Sequence, residues 1–283
     1  MPPPTTITRN GHRTFLKWHR ARRRPSDPVF TGRRIAEGMR AGASVEVDLV
    51  VHADAGFAVL HEPVLGIETT GSGRVRDTPA AVLRTLRLRD NAGNPTEEPV
   101  MLLEDLAALV AREGAHPDAL LQLDYKEDAA ALAPVAGVTF AQALAPVARH
   151  FILSSGDAAS VRLLSTGLPA LRIGYDPCHE GALERVSASR AWPAFVAEAV
   201  AASPAAELVY LAHELVLAAA ADGYDFVAAF HRADRRVDAY TIYRADTAGL
   251  AAAHRLLELR VDQITTDDPD GLAIALGQPP LSG

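Results

Sequence analysis

The stretch Gly42-Ala43-Ser44-Val45-Glu46-Val47-Asp48-Leu49-Val50-Val51 decides the fold prediction. Its residues from Ser44 to Val51 are mostly β-branched or aliphatic, which is typical of a buried strand. Side chains alternate along a strand, so Glu46 and Asp48 share one face while the apolar residues between them share the other. Two carboxylates on a hydrophobic strand are costly to bury unless positive charge neutralises them. The strand is therefore a candidate for part of a functional site.

A second candidate strand repeats this pattern in Leu121-Gln122-Leu123-Asp124-Tyr125-Lys126. Asp124 and Lys126 fall on a common face, and if the two strands are neighbours, three carboxylates and an ammonium converge near the strand ends. Carboxylate oxygens suit a hard cation, Mg²⁺ or Ca²⁺, rather than zinc. The alternative is a buried ion-pair network in which Lys126 neutralises one acid, but a surplus of negative charge then remains, which favours a metal site.

Outward from these two segments, short β-rich runs alternate with longer stretches of helical period. The candidate strands are 14–20, 44–51, 119–126, 151–155, 170–175, 207–212, 238–243 and 261–265, and the candidate helices between them are 31–41, 102–112, 158–165, 225–234 and 247–259. Asp157 and Asp246 stand at N-cap positions, and Gly42 and Gly167 at C-cap positions. Eight strands alternating with helices predict an α/β fold of the (β/α)8 TIM barrel type. A doubly wound open sheet is the rival, but it usually shows a glycine-rich turn after its first strand, and none is present there.

The whole chain, 1–283, is predicted to be a single barrel domain. A loop-rich insertion at 62–99 follows the second strand, with a helix-like run over 80–88. In a barrel this insertion would lie at the carboxyl-terminal face, where active sites form. The ends, 1–11 and 277–283, are predicted to be loose tails.

Composition excludes several classes of protein. The chain has 283 residues, of which 48% are hydrophobic, so a buried core rather than disorder is expected. Its net charge of -7 disfavours general nucleic-acid binding. A single cysteine, Cys178, excludes an internal disulfide framework and a cysteine-based zinc site. There is no apolar run long enough for a transmembrane segment and no signal peptide, so the sequence predicts a cytoplasmic protein of unknown oligomeric state.

Two histidines follow candidate strands. His19-Arg20 ends the first strand, and His61-Glu62 ends a short β-run over 57–60. One histidine can accept a proton while the other donates one, as displacement at a phosphodiester requires. Arg20 offers a planar guanidinium suited to phosphate oxygens. Each histidine taken alone could equally be structural, and of the other eight only His213, at the end of the sixth strand, is a further site candidate.

With these residues in this order, the sequence resembles the glycerophosphodiester phosphodiesterases, relatives of the phosphatidylinositol-specific phospholipases C. The matching segments, in the family's order, are His19-Arg20, 42–48, Val59-Leu60-His61-Glu62, 65–75, Leu123-Asp124-Tyr125-Lys126, Tyr240-Thr241-Ile242-Tyr243 and 261–269. Each match is weak alone, but the ordered series, with the inserted segment in place, covers most of the chain.

This resemblance implies a (β/α)8 barrel that hydrolyses glycerophosphodiesters to an alcohol and glycerol 3-phosphate with one divalent cation. It also implies residue roles. Glu46, Asp48 and Asp124 would ligate Mg²⁺ or Ca²⁺, His19 and His61 would be the acid/base pair, Arg20 and Lys126 would contact the phosphate, and His213 and Tyr240 are candidates for the substrate rim.

The sequence departs from the family pattern around these residues. Ala21 replaces the glycine after His-Arg, Glu62 replaces aspartate, and Asp124 is one methylene shorter than the more frequent glutamate. Ile67-Glu68 replaces Arg-Thr in the insertion, and Tyr240 replaces tryptophan. None of these changes removes a candidate metal ligand or histidine. Together they affect the substrate rim, so the alcohol group that the protein recognises is expected to be unusual.

Three other functions fit part of the pattern. A pyruvate-type aldolase would share the carboxylates without needing the histidine pair. A sphingomyelinase-D-like phospholipase would lack the Gly-x-Gly segment of the insertion and would carry disulfides. A catalytically degenerate barrel that binds a phosphorylated ligand would retain the fold alone.

Overall fold

The two acid-bearing strands lie side by side in a computed structural model, which describes residues 4–179 and 181–277. The strands of this described part are β1 Thr6–Arg9, β2 His12–Trp18, β3 Ser44–Val51, β4 Phe57–Val59, β5 Arg87–Arg89, β6 Pro95–Pro99, β7 Leu120–Tyr125, β8 Phe151–Ser154, β9 Arg172–Tyr175, β10 Leu208–Ala212, β11 Arg236–Ile242 and β12 Gln263–Thr266. The helices are α1 Gly32–Ala41, α2 Leu65–Glu68, α3 Ala80–Leu83, α4 Leu103–Glu113, α5 Ala136–Leu144, α6 Ala158–Ser165, α7 Ala182–Ser189, α8 Trp192–Ala202, α9 His213–Ala221, α10 Phe226–Arg232, α11 Thr247–Glu258 and α12 Pro269–Leu276.

Eight strands form a closed (β/α)8 barrel with the order β2-β3-β7-β8-β9-β10-β11-β12 and a return to β2. The fold predicted from the sequence is therefore confirmed. All eight predicted strands are present, and β3 has the predicted bounds. Two antiparallel neighbours extend the sheet, β1 beside β2 and β4 beside β3.

The chain divides into two compact units. The second unit contains Arg20–Arg22 and Ser26–Ile173, and its centre is the parallel pair β3–β7. Val45, Val47 and Leu49 of β3 are fully buried. Burying one such side chain contributes about 1.5–3 kcal/mol to stability, so this face anchors the strand. The opposite face of β3 then has a fixed position for its two acids.

The first unit contains the described residues up to His19, Arg23–Pro25 and the described residues from Gly174 onward. Within it, β10, β11, β12 and β2 are consecutive parallel neighbours. A buried ion pair joins two of these strands, with Lys17 Nζ 2.8 Å from Asp238 Oδ2. Thr265 Oγ1 donates to the other oxygen of Asp238 at 2.6 Å, so the buried carboxylate is paired and hydrogen-bonded.

The five predicted helices are present as α1, α4, α6, α10 and α11. Asp157 and Asp246 are N-caps whose carboxylates accept backbone hydrogen bonds, and Gly42 is a left-handed C-cap. At the end of α6 the C-cap is Thr166, while Gly167, which was predicted for that role, follows it with a φ of 81°. No described helix combines the length and the apolar composition that crossing a membrane requires.

Two local predictions need correction. Residues 1–11 are not all a loose tail, because β1 pairs with β2 through the two-residue turn Asn10-Gly11, both of which have positive φ. The helix-like run 80–88 is helical only as α3, after which the chain enters the β5–β6 hairpin. Residues 1–3 and 278–283 of the predicted tails lie outside the described residues.

Candidate active site

Three carboxylates come together where β3 and β7 pair. Asp48 lies directly opposite Asp124 in the register, and Glu46 lies opposite Gln122. Glu46, Asp48 and Asp124 each offer one oxygen, and these three oxygens lie within 4.8 Å of one another. Glu46 and Asp48 are buried, whereas the Asp124 side chain is 17% exposed. These three residues, called the acid cluster below, are therefore partly open to solvent at Asp124.

Two basic side chains contact this acid cluster. Lys126 Nζ lies 2.9 Å from Asp48 Oδ1 and 2.5 Å from Asp124 Oδ2. Arg20 Nε lies 3.3 Å from Asp48 Oδ2. Burial alone would lower the pKa of Lys126, but Asp124, Asp48 and Glu46 hold that pKa well above its usual value. In the part of the chain that the structure describes, two basic side chains therefore face three acids.

The acid cluster fits a divalent cation. Burial, with Asp48 beside it, raises the pKa of Glu46 well above its usual value. An ionised Glu46 therefore lacks enough positive charge nearby, which is the deficit that a cation would fill. All three candidate ligands are carboxylates, the donors that Mg²⁺ and Ca²⁺ prefer. These residues fit the cation that the sequence predicts.

The backbone at Arg20 turns sharply toward the acid cluster. Arg20 and Ala21 both have left-handed conformations, with φ of 51° and 57°. L-residues adopt this region at a cost of roughly 1–2 kcal/mol each, so the surrounding structure must hold them there. The turn directs the Arg20 N–H to Glu46 Oε2 at 2.7 Å. Arg20 therefore contacts the acid cluster with both its backbone and its guanidinium.

A hydrogen-bond relay fixes the orientation of Asp124. Ser154 Oγ, on β8, donates to Asp124 Oδ1 at 2.6 Å, and Gln122 Nε2 donates to Ser154 Oγ at 2.8 Å. Ser154 is fully buried. Because Oδ1 is engaged by the serine, Oδ2 is the oxygen directed to Lys126.

His61 lies just after β4 in the second unit and is paired with its neighbour. His61 Nδ1 lies 2.9 Å from Glu62 Oε1, and the imidazole is 30% exposed. The backbone N–H groups of His61 and Glu62 both donate to Glu68 Oε2 at 2.9 Å. The ring therefore keeps Nε2 as its other nitrogen for contact with a ligand.

His19 lies at the end of β2 in the first unit. Its Nδ1 lies 2.7 Å from Asp267 Oδ1, and Asp267 directly follows β12. Both side chains are largely buried, at 18% and 10% exposure. A carboxylate on Nδ1 fixes the ring orientation and leaves Nε2 as the nitrogen that can exchange a proton.

His213 and Tyr240 are joined in the first unit. His213 Nδ1 lies 3.0 Å from the Tyr240 carbonyl oxygen. The Tyr240 hydroxyl donates to Asp176 Oδ2 at 2.9 Å, and Asp176 also accepts the Cys178 N–H at 2.7 Å. Tyr240 is thus held by a carboxylate at the end of β9.

The structure brings together five of the residues that the sequence predicted. Glu46, Asp48, Asp124, Arg20 and Lys126 form one cluster. Sequence reasoning missed the groups that contact Asp124, His19, His61 and Tyr240. These are Asp267, Glu62 as a ring partner, Glu68, Ser154 and Asp176. Asp267, Glu62 and Glu68 lie in the quoted motifs, which could have pointed to them, whereas Ser154 and Asp176 lie outside those motifs.

The sequence matches the profile of a known protein family. The profile of the Glycerophosphoryl diester phosphodiesterase family matches residues 31–271. No curated protein is a significant match to the sequence.

Solved structures share the fold at low identity. A glycerophosphodiester phosphodiesterase from Agrobacterium tumefaciens has a TM-score of 0.63 at 18% identity, with 92% of this chain and 99% of that chain covered. One from Parabacteroides distasonis has a TM-score of 0.67 at 15% identity, covering 93% and 96%. An Oleispira antarctica phosphodiesterase, solved with the product sn-glycerol-3-phosphate, has a TM-score of 0.65 at 17% identity, covering 93% and 96%.

The barrel and the family profile together define the class of this protein as a phosphodiester hydrolase. The profile matches well over half of the chain. The chain belongs to the glycerophosphoryl diester phosphodiesterase family.

Proposed function

We propose that this protein hydrolyses glycerophosphodiesters to an alcohol and glycerol 3-phosphate with the help of one divalent cation. The observation that carries the proposal is the acid cluster, where three carboxylate oxygens lie within 4.8 Å of one another and two basic side chains, Arg20 and Lys126, contact them in the described part of the chain. Glu46, Asp48 and Asp124 would hold Mg²⁺ or Ca²⁺. A bound cation would supply positive charge to the phosphoryl oxygens. The sn-glycerol-3-phosphate in the Oleispira antarctica structure supports the choice of product.

Arg20 and Lys126 would bind the phosphate. Both already lie against Asp48, so two cationic groups are held at the acid cluster before a substrate arrives. Charge gathers on the phosphoryl oxygens in the transition state, and fixed cations stabilise it more than they stabilise the ground state. The planar guanidinium of Arg20 can contact two oxygens, whereas the Lys126 ammonium acts as a point charge.

His19 and His61 would be the acid/base pair. One imidazole accepts a proton from the nucleophile, either water or a hydroxyl of the glycerol moiety. The bond from phosphorus to the alcohol oxygen breaks, and the other imidazole protonates that oxygen. If the glycerol hydroxyl attacks first, water then opens the cyclic phosphate, so both routes consume one water. Each ring has a carboxylate on Nδ1, Asp267 for His19 and Glu62 for His61, which fixes the ring orientation and leaves Nε2 to exchange the proton.

The substrate rim would include His213 and Tyr240. The His213 ring and the Tyr240 hydroxyl are both held by hydrogen bonds, so they present ordered groups to a leaving alcohol. The single-domain organisation and the cytoplasmic location stay predictions of the sequence.

The test is a direct assay with glycerophosphocholine and a bis-aryl phosphodiester. The purified protein is treated with a chelator and then assayed with Mg²⁺ or Ca²⁺ restored. We expect hydrolysis only with a cation, and a fall in rate of about 10²–10⁴ in His19→Ala or His61→Ala. Asp48→Asn should lose the response to cation.

Glu113→Gln is the control for these variants, since Glu113 pairs only with surface arginines of helices α1 and α4 in the described contacts. It should keep the wild-type rate. Unchanged turnover in both His19→Ala and Asp48→Asn would remove the proposed roles. Binding of glycerol 3-phosphate without any turnover would instead favour the degenerate barrel.

A further inference from the structure

Glu68 ends the short helix α2 and contacts the backbone beside His61. Its Oε2 atom accepts hydrogen bonds from the N–H groups of His61 and Glu62, both at 2.9 Å. The same two residues are joined through their side chains, because His61 Nδ1 lies 2.9 Å from Glu62 Oε1. One oxygen of Glu68 therefore holds the backbone of both members of this pair.

We propose that Glu68 is a positioning residue that keeps the His61–Glu62 pair in its reactive arrangement. The inference rests on the proposed role of His61 as an acid or base. Glu68 acts through the backbone of its neighbours, so it is not itself a catalytic residue.

The inserted segment does not need Glu68 for its own fold. Leu65 is 2% exposed, and its N–H donates to the Gly73 carbonyl at 3.0 Å. The Val75 N–H donates to the Pro63 carbonyl at 3.0 Å, and Thr69 Oγ1 donates to the Leu65 carbonyl at 2.7 Å. These contacts close the turn around α2 without the Glu68 carboxylate. Glu68 adds the two hydrogen bonds to the backbone of His61 and Glu62.

The location of Glu68 carries a cost that a surface carboxylate would avoid. Burial raises its pKa, while the two amides and Arg20 lower it and Asp48 raises it. Glu68 is thus close enough to the acid cluster to interact with its charges. A half-buried carboxylate near other acids is costly to keep ionised, which favours a function for its two amide contacts over a chance placement.

The same segment contains a matched control. Asp90 Oδ1 also accepts two backbone N–H groups, those of Ala92 at 2.9 Å and Asn94 at 2.8 Å. Asp90 lies at the exposed turn of the β5–β6 hairpin, and none of its described contacts is with a proposed site residue. Loss of Asp90 therefore measures what breaking such a carboxylate bridge does to the insertion alone.

The experiment compares Glu68→Ala, Glu68→Gln and Asp90→Ala, each with and without His61→Ala, on glycerophosphocholine. Displacing a reacting group by about 1 Å can cost ~10² in rate, so Glu68→Ala should lower kcat roughly 10- to 100-fold with KM within about twofold. Glu68→Gln should recover most of the rate, because its amide oxygen still accepts both N–H groups. Asp90→Ala should keep the wild-type kcat. In the His61→Ala background, Glu68→Ala should cause no further loss, since both changes remove the same contribution.

A second readout does not depend on turnover. The ring signal of His61 in ¹H–¹³C spectra is identified by its absence in His61→Ala. It should shift or broaden in Glu68→Ala and stay unchanged in Asp90→Ala. An inactive wild-type protein would refute the proposed function while leaving these spectra to decide the role of Glu68. A His61 signal unaffected by Glu68→Ala, or an equal loss of rate in both backgrounds, would overturn the inference.

Discussion

Replacing Glu46 by glutamine should separate cation binding from folding. Glutamine is nearly isosteric, and its amide oxygen can still accept the Arg20 N–H that now donates to Oε2 at 2.7 Å. The variant leaves two carboxylates, Asp48 and Asp124, against two cations, Arg20 and Lys126. Its acid cluster is therefore balanced in charge, so the protein should fold without a cation.

The pH dependence of the stability of the fold follows from the raised pKa of Glu46. A carboxyl group whose pKa is higher in the folded than in the unfolded state stabilises the fold fully below its unfolded pKa. That stability is lost as the pH rises through the folded pKa. With a chelator present, the wild-type protein should therefore lose stability as the pH rises above the usual glutamate pKa, because Glu46 must then ionise in the folded state. Glu46→Gln has no group to ionise at this position and should not show this loss. At pH 8 the cation-free variant should melt at or above the wild-type temperature.

Cation binding should reverse the order of the two melting temperatures, so that the wild-type protein melts above Glu46→Gln. A cation at 100 times its Kd stabilises the folded state by about 2.7 kcal/mol. For a chain of this size roughly 2–4 °C of melting temperature corresponds to 1 kcal/mol, so wild-type protein should gain about 5–10 °C. Glu46→Gln, with one ligand oxygen made neutral, should gain far less at the same concentration.

The assay is thermal unfolding in chelator and across a titration of Mg²⁺, Ca²⁺ or Mn²⁺. Glu113→Gln removes a surface carboxylate that pairs with Arg40 at 2.6 Å, and it should show the full wild-type gain. Equal gains in wild-type protein and Glu46→Gln would refute the assignment of Glu46 as a ligand. A wild-type protein that gains nothing from any of the three ions would refute the cation site altogether.

The other predictions concern groups that orient or cap. Ser154→Ala frees Asp124 Oδ1 and should weaken Mn²⁺ binding about 10- to 100-fold, measured by calorimetry. It should also lower the melting temperature in chelator, because Gln122 Nε2 loses the buried Ser154 oxygen as an acceptor. Asp267→Ala should lower kcat by a smaller factor than His19→Ala, and should cause no further loss in a His19→Ala background, because Asp267 acts through the His19 ring. Asp157→Ala removes an N-cap and should lower the free energy of unfolding by about 1 kcal/mol in urea at pH 7. Burial alone would raise the pKa of Asp157, but hydrogen bonds from Ser160 and backbone amides lower it, so this difference should be full above the usual aspartate pKa and shrink as the pH falls through the lowered value. An Asp157→Ala loss that is as large at pH 2 as at pH 7 would contradict the capping explanation.

The sequence predicts the barrel because its strands have a strong local signal. The run from Ser44 to Val51 is apolar and β-branched, and its observed bounds equal the predicted ones. The alanine-rich helices α8 and α9 lack that signal, since small residues on all sides leave little contrast between a buried and an exposed face. The strand β1 was missed although Asn10-Gly11 is a strong hairpin signal, because a short polar strand at a chain end resembles a tail.

The candidate site is predictable only where spacing along one strand decides it. Glu46 and Asp48 share a face by alternation, and the register then adds Asp124 opposite Asp48. Ser154 and Asp267 reach their partners over 30 and 248 positions of sequence, so nothing local marks them. Glu68 could be noticed as a departure from the family pattern, but its hydrogen bonds to 61 and 62 depend on the path of the inserted segment.

The charges of the acid cluster explain why basic residues lie beside the proposed cation ligands. Three carboxylates against Arg20 and Lys126 leave one negative charge, and burial together with Asp48 raises the pKa of Glu46, which favours its protonated form. A divalent cation would change this total to one positive charge. A phosphodiester carries one negative charge, so the cluster would be neutral only with both cation and substrate present. Without Arg20 and Lys126 the same carboxylates would overcompensate the cation and repel the diester, because the total charge would then be negative before the substrate binds.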